Sequence, residues 1–210
     1  MNLENFNPVK INTILVYDNM DISNVSFDKI KNDFKNEVNL HQVAENVLVV
    51  VFKNEPIQAQ IGQRRLVVNY DSSNQKASKD VFDKIVSLVI ELKKAISDSK
   101  LIAYGFNYDF ETNLKKEDVT AGEYLTNKFL SNQQEIETIS QGEITEFEPN
   151  FSIDCGEVEY NISIKAENNS NKLGIHVNAH FDDKDNISKK ALTNSIDSKY
   201  NEVIEMLKKW

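Results

Sequence analysis

Apolar residues along this chain recur with two different periods, and the switches between the periods divide it into elements. The run "INTILVY" (11–17), closed by "DNMD", predicts a strand and a turn. Phe27, Ile30, Phe34 and Val38 then recur at helical spacing behind Ser26, a residue type that caps helix N-termini, and predict a helix. "NVLVVVF" (46–52) reads as a buried strand. "PIQAQI" and "RRLVVNY" alternate with period 2 on either side of Gly62-Gln63, the pattern of a hairpin closed by a two-residue turn. Such a turn sets Ile61 against Arg64, Ala59 against Leu66 and Ile57 against Val68. Phe82, Ile85, Val86, Val89, Leu92 and Ile96 make the apolar stripe of a helix that begins near Ser78.

The second half reads alike. "LIAYGFNYDF" (101–110) places Ile102, Tyr104, Phe106, Tyr108 and Phe110 on one strand face, which directs Asn107 and Asp109 away from the core. Thr120 with Glu123 predicts a capping box for a short helix. Three strands follow, through Phe147, Phe151 and Ile153, through Val158–Ile164, and through Leu173–Phe181. A last helix carries Ile196, Tyr200, Val203 and Leu207, with Trp210 at its end.

The matching order predicts a tandem duplication of a β-α-β-β-β-α unit, with units at 1–98 and 99–210 in tight association. Its best local match sets "LVVNYD" (66–71) against "VNAHFD" (177–182). Hairpins and alternating strands predict an antiparallel sheet, and long helices on one face make the fold class α+β. At the level of fold alone this architecture is similar to that of the SecB-type holdase chaperones; no motif accompanies the likeness, and nothing of their function is carried over.

Charge and composition narrow the function classes. A formal net charge of −9 opposes general nucleic-acid binding, which needs a basic stripe. The longest apolar run, "VLVVVF", is far shorter than the roughly 20 residues of a membrane-spanning helix, and "MNLENFNPVKIN" carries no secretory pattern. Cys155 is the only cysteine. Together these predict a cytoplasmic protein without disulfide or cofactor. Heavy Asn, Lys and Ile usage reads as codon bias of an AT-rich genome.

The chemistry-bearing residue types are few. His176 and His180 share a strand face but stand about 13 Å apart, too far for one metal ion; a site would need Asn178, Asp182, Asp183 and neighbouring strands. His41 falls in an expected loop. Arg64 and Arg65, the only arginines, point to opposite faces of the hairpin, and Arg65 lies on the polar face with Asn69. The expected ligand-binding set is therefore Arg65, Asn69, His176, Asn178 and His180, with no catalytic or metal residue assigned. The expectation is a non-enzymatic binding protein acting through a sheet face, edge or groove, with a protein or a small anionic ligand as partner. The alternative is a metal-assisted or carboxylate-dependent hydrolase using His176, His180 and nearby acids. "NVLVVVF" as an edge strand would support a homodimer.

Overall fold

The structure is a computed structural model that describes residues 3–20, 22–35, 37–62, 64–71, 78–96, 99–115, 119–141, 143–144, 146–167, 170–182 and 188–209. The protein is α+β, with nine strands and five α-helices among these residues. In chain order they are β1 (Leu3–Tyr17), α1 (Phe27–Asp33), β2 (Val38–Ala44), β3 (Val47–Phe52), β4 (Ile57–Gly62), β5 (Arg65–Asp71) and α2 (Lys79–Lys93). The second half runs β6 (Leu101–Leu114), α3 (Ala121–Phe129), α4 (Gln133–Ser140), β7 (Asn150–Asp154), β8 (Glu159–Ala166), β9 (Lys172–Phe181) and α5 (Lys189–Leu207). The strands form one antiparallel sheet in the order β2-β3-β4-β5-β1-β6-β9-β8-β7. None of the described helices is long and apolar enough to cross a membrane.

Side chains that alternate along the strands form the core. Ile11 and Leu15 of β1, Leu66, Val68 and Tyr70 of β5, and Phe106, Tyr108 and Phe110 of β6 are almost fully buried. They belong to one cluster with the apolar stripes of α2 and α5, including Phe82, Ile85, Val89, Leu192, Ile196 and Val203. Two hydrogen bonds tie α5 to the sheet: the Tyr108 hydroxyl donates to the Ile196 carbonyl at 2.9 Å, and that of Tyr160 to Glu202 at 2.7 Å. Burial pushes the Tyr108 phenol well above its ordinary range. Tyr200 adds ring contacts to Phe82 and Tyr108 at 5.3 and 5.6 Å.

Helix starts follow the sequence. Ser26, Ser78 and Ser188 each accept a backbone N–H of the first turn, and Thr120 with Glu123 closes a capping box. Several expectations change. Val38 opens strand β2 instead of continuing the first helix, so His41 lies in a strand and the first half has four strands after α1. That strand occupies the sheet edge, which places β3, the expected edge, between β2 and β4. Helix α4, with no buried residue, lacks the apolar stripe that would announce it. Ile102, expected on the face of the aromatic row, is exposed, because a register shift between Val16 and Tyr17 pairs Leu101 with the buried Tyr17. Trp210 lies outside the described residues.

The β4–β5 hairpin is shifted by two residues from expectation: Gly62 pairs with Arg65, Ile61 with Leu66 and Ala59 with Val68. A slip of two keeps every side chain on its face, whereas a slip of one would invert the ribbon. Gly62 is needed for close approach, since a Cβ there would meet the Asn46 carbonyl oxygen at 2.1 Å. Gln63 lies outside the described residues, and Arg64 takes the left-handed conformation (φ 65°). Two bonds to the end of β1 hold it: Arg64 Nε donates to the Tyr17 carbonyl at 3.0 Å, and the Tyr17 N–H donates to the Arg64 carbonyl at 2.8 Å. Arg65 is exposed on the opposite side of the ribbon.

Arg64→Ala should therefore lower stability by about 1–2 kcal/mol through the lost charge-assisted bond, while Arg65→Ala should stay within about 0.5 kcal/mol. Urea unfolding of the two variants beside wild type checks the order.

Candidate functional site

Strand side chains that point away from the core form a second, largely polar face. Cross-strand register assembles a row on it: Gln58 of β4 faces Asn69 of β5, Asn69 faces Asn12 of β1, and Asn12 faces Asn107 of β6. Asn107 in turn faces Asn178 of β9, Asn178 faces Asn161 of β8, and Asn161 faces Ser152 of β7. Five asparagines thus stand side by side on five adjacent strands, with Gln58 and Ser152 at the ends. Neighbouring strands lie about 4.8 Å apart, which lets one short side-chain amide reach the next.

Three pairs of neighbours in the row are hydrogen-bonded. Asn178 Nδ2 donates to Asn107 Oδ1 at 2.6 Å, Asn107 Nδ2 donates to Asn12 Oδ1 at 2.5 Å, and the Ser152 hydroxyl donates to Asn161 Oδ1 at 2.5 Å. Asn12 and Asn107 are 7% and 6% exposed, so these bonds meet the cost of burying two amides. Asn107 does point away from the core, as expected, but it is buried within the row. Asn69, Asn161 and Asn178 remain half-exposed.

Two further rows flank the amides. On one side Lys10 faces both Asp71 and Asp109, Asp109 faces His176, and His176 faces Ser163. His176 Nδ1 meets Asp109 Oδ1 at 2.5 Å. On the other side Val67 faces Ile14, Ile14 faces Gly105, and Gly105 faces His180. His180 Nε2 lies 3.2 Å from Asp182.

Each half of this face carries a shallow cleft. One, of about 660 Å³, lies along Lys10, Val51, Glu55, Gln58, Asn69 and Asp71, with Glu111 at its margin. Lys84 engages Glu55, and Lys172 reaches Glu111 at 2.8 Å. The hydrogen bonds that Lys172 donates to Glu111 and Glu167 raise the pKa of its ammonium above the usual lysine range. The other cleft, of about 420 Å³, is lined by Ser152, Asn161, Ser163, His176 and Asn178 together with Asn150.

All five expected ligand-binding residues lie on this face, but not at one point. Arg65 and Asn69 belong to β5, and His176, Asn178 and His180 to β9, with β1 and β6 between them. Asn69 enters one cleft, His176 and Asn178 enter the other, and Arg65 and His180 line neither. Asp183 lies outside the described residues, among which no group of three or more His, Cys, Asp or Glu could hold a metal ion. Asn12, Asn107, Asn161 and Ser152 were not singled out from the sequence. For the asparagines the signal was present, because Asn is depleted in strands, yet it interrupts apolar runs at positions 12, 107 and 161.

No protein-family model matches the chain, and no curated protein matches it.

Asn107→Ala should destabilise by about 1–3 kcal/mol, since it strips partners from both Asn12 and Asn178. Asn178→Ala, at a half-exposed position, should cost less. Paired with Asn12→Ala, Asn107→Ala should be non-additive by at least about 0.5 kcal/mol in a double-mutant cycle read by chemical denaturation.

Proposed function

We propose that this is a non-enzymatic, cytoplasmic binding protein that recognises its partner through the polar face of the sheet. The observation that carries the reading is the row of five in-register asparagines, bordered by two clefts that share its members. The bonds from Asn178 to Asn107 and from Asn107 to Asn12 stiffen the middle of the row, while Asn69, Asn161 and Asn178 are half-exposed to meet a partner's hydrogen-bonding groups. The larger cleft carries Glu55, Asp71 and Glu111 beside Lys10, with Lys84 on Glu55 and Lys172 on Glu111, a mixed-charge lining that does not single out the small anion expected from Arg65. A protein partner fits a face of this extent better than a small molecule does, because neither cleft is deep.

The same reading includes a tandem duplication, with units at 1–98 and 99–210 that share one sheet. Its support is register. Ile11 faces Tyr108, Thr13 faces Phe106 and Leu15 faces Tyr104, so a two-fold axis between Thr13 and Phe106 would exchange β1 with β6. That axis also exchanges β5 with β9, since Leu66, Val68 and Tyr70 meet β1 as Val177, Ala179 and Phe181 meet β6. The amide row breaks this symmetry: its mate across the axis holds Ile14, Val67, Gly105 and His180. A polar row built on only one side of the axis is the mark of a surface specialised after duplication.

NMR with ¹⁵N-labelled protein and a library of small amides and polyols tests the binding reading. Shifts should concentrate on the side-chain amides of Asn69, Asn161 and Asn178. A response confined to the helices would refute it.

One observation favours the alternative, a hydrolase. Asp109, His176 and Ser163 stand side by side on three adjacent strands, with the carboxylate on Nδ1 of the imidazole and Ser163 at the cross-strand position beyond it. This is the order of roles in a nucleophilic triad. A fluorophosphonate probe should then label Ser163 in the wild-type protein and not in His176→Ala; absence of label in the wild type ends that reading.

A further inference from the structure

The row of amides is broken inside the smaller cleft. On one side of the break Asn178 donates from Nδ2 to Asn107, and its Oδ1 is left as an acceptor. On the other side Asn161 accepts at Oδ1 from Ser152, and its Nδ2 is left as a donor. Asn161 and Asn178 are cross-strand neighbours, yet no hydrogen bond joins them, and neither of these two atoms has another partner among the described residues. The next row repeats the arrangement. His176 donates from Nδ1 to Asp109, so in the neutral ring the proton sits on Nδ1 and Nε2 is an acceptor. Across from His176 stands Ser163, whose hydroxyl also has no partner among the described residues. The cleft thus holds two pairs, each setting an acceptor beside a donor, about 6.8 Å apart along the strands.

We propose that the smaller cleft binds a neutral polyhydroxyl group, the chemistry of a sugar or a cyclic polyol. The inference rests on the reading of the polar face as a recognition surface and names what this half of it takes. Charge is the first argument. In a chain of net charge −9, the lining of this cleft contains no Asp, Glu, Lys or Arg, so it offers no fixed counter-charge to an anion or a cation. Hydrogen-bond polarity is the second. A hydroxyl gives and accepts through one oxygen, so it can bridge the first pair by donating to Asn178 Oδ1 while accepting from Asn161 Nδ2. A second hydroxyl can do the same between His176 Nε2 and Ser163. A lone carboxamide satisfies one pair, whereas both pairs together call for two separated hydroxyls on one ligand. The volume of about 420 Å³ lies in the range of small-ligand pockets. Phe151, the aromatic residue of the lining, packs against Phe129 with ring centroids 6.4 Å apart, so hydrogen bonds and not ring stacking hold the ligand, and the affinity is modest.

NMR titration of the full chain with glucose, galactose and myo-inositol, each alone at millimolar concentration, tests the proposal, with acetamide and methylammonium as carboxamide and cationic probes. At least one polyhydroxyl probe should shift the side-chain amides of Asn161 and Asn178 and the His176 ring saturably, and bind there more tightly than acetamide or methylammonium. Asn161→Ala and His176→Phe should each weaken that binding by about fivefold, the contribution of one hydrogen bond, while Glu205→Gln on α5 should not change it. A two-bond ¹⁵N–¹H spectrum at about pH 8, above the ordinary imidazole range, needs neither ligand nor variant and should show His176 protonated at Nδ1 alone. A ring protonated at Nε2, silence of the cleft to all three polyhydroxyl probes, tighter binding of acetamide or methylammonium, or an affinity unmoved in either cleft variant would each overturn it. Shifts confined to Gln58 and Asn69 in the larger cleft would overturn this assignment and leave the reading of the polar face standing; shifts confined to the helices would overturn both.

Discussion

The antiparallel ladder between β1 and β6 joins the two halves of the chain into one sheet, and the other strands take their positions from it. On the core side of this ladder stand Ile11, Leu15, Phe106 and Tyr108 at almost no exposure, under the stripes of α2 and α5. On the other side stand Asn12 and Asn107. A single register therefore places the centre of the core and the centre of the amide row back to back. Because side chains alternate with period 2, sliding β1 by one residue against β6 would bury the amides and expose the aliphatics, so packing on one face fixes recognition chemistry on the other. Irregularities fall near Glu4–Asn7, Pro8–Lys10 and Val16–Tyr17, which leaves the ladder regular from Lys10 to Val16. Pro8 has no N–H to give, which accounts for one of them.

Polar groups are buried on this face only because each meets another. An isolated strand asparagine would be a defect, depleted in sheets and costly to desolvate. Repeated on adjacent strands, the same residue becomes a chain of donors and acceptors in which Asn107 both gives to Asn12 and receives from Asn178. Such a chain is rigid in the way a recognition surface needs, since its inner members have no alternative partner in water. Arg64 shows the same economy on a smaller scale, tolerating a left-handed backbone because its guanidinium and its carbonyl both engage Tyr17.

The elements that periodicity failed to announce lack an apolar stripe. Helix α4 buries nothing, and its order rests on local bonds, such as Gln133 to Glu137 at 3.0 Å and the Ile144 N–H to Glu137 at 3.1 Å. Strand β2 buries fully only Val38, so its alternation fades after Leu40 and a helical reading of Val38 was equally consistent with the residues before it. The amide row escaped for another reason. Frequent asparagine reads as a property of the genome, and a compositional bias hides positional meaning until neighbouring strands are known.

What the sequence determined by itself is local: where strands alternate, where helices begin at Ser26, Ser78 and Thr120, which side chains share a face, and that Arg64 and Arg65 diverge. These follow from backbone geometry and from capping, which operate over a few residues. The tertiary structure alone decided which strands are neighbours. It placed Asn12 beside Asn107, His176 between Asp109 and Ser163, and β2 at an open edge. Those choices depend on contacts between residues far apart in the chain, selected because only one strand order and register buries the aromatic row and both helix stripes together, and no window of local sequence carries that sum.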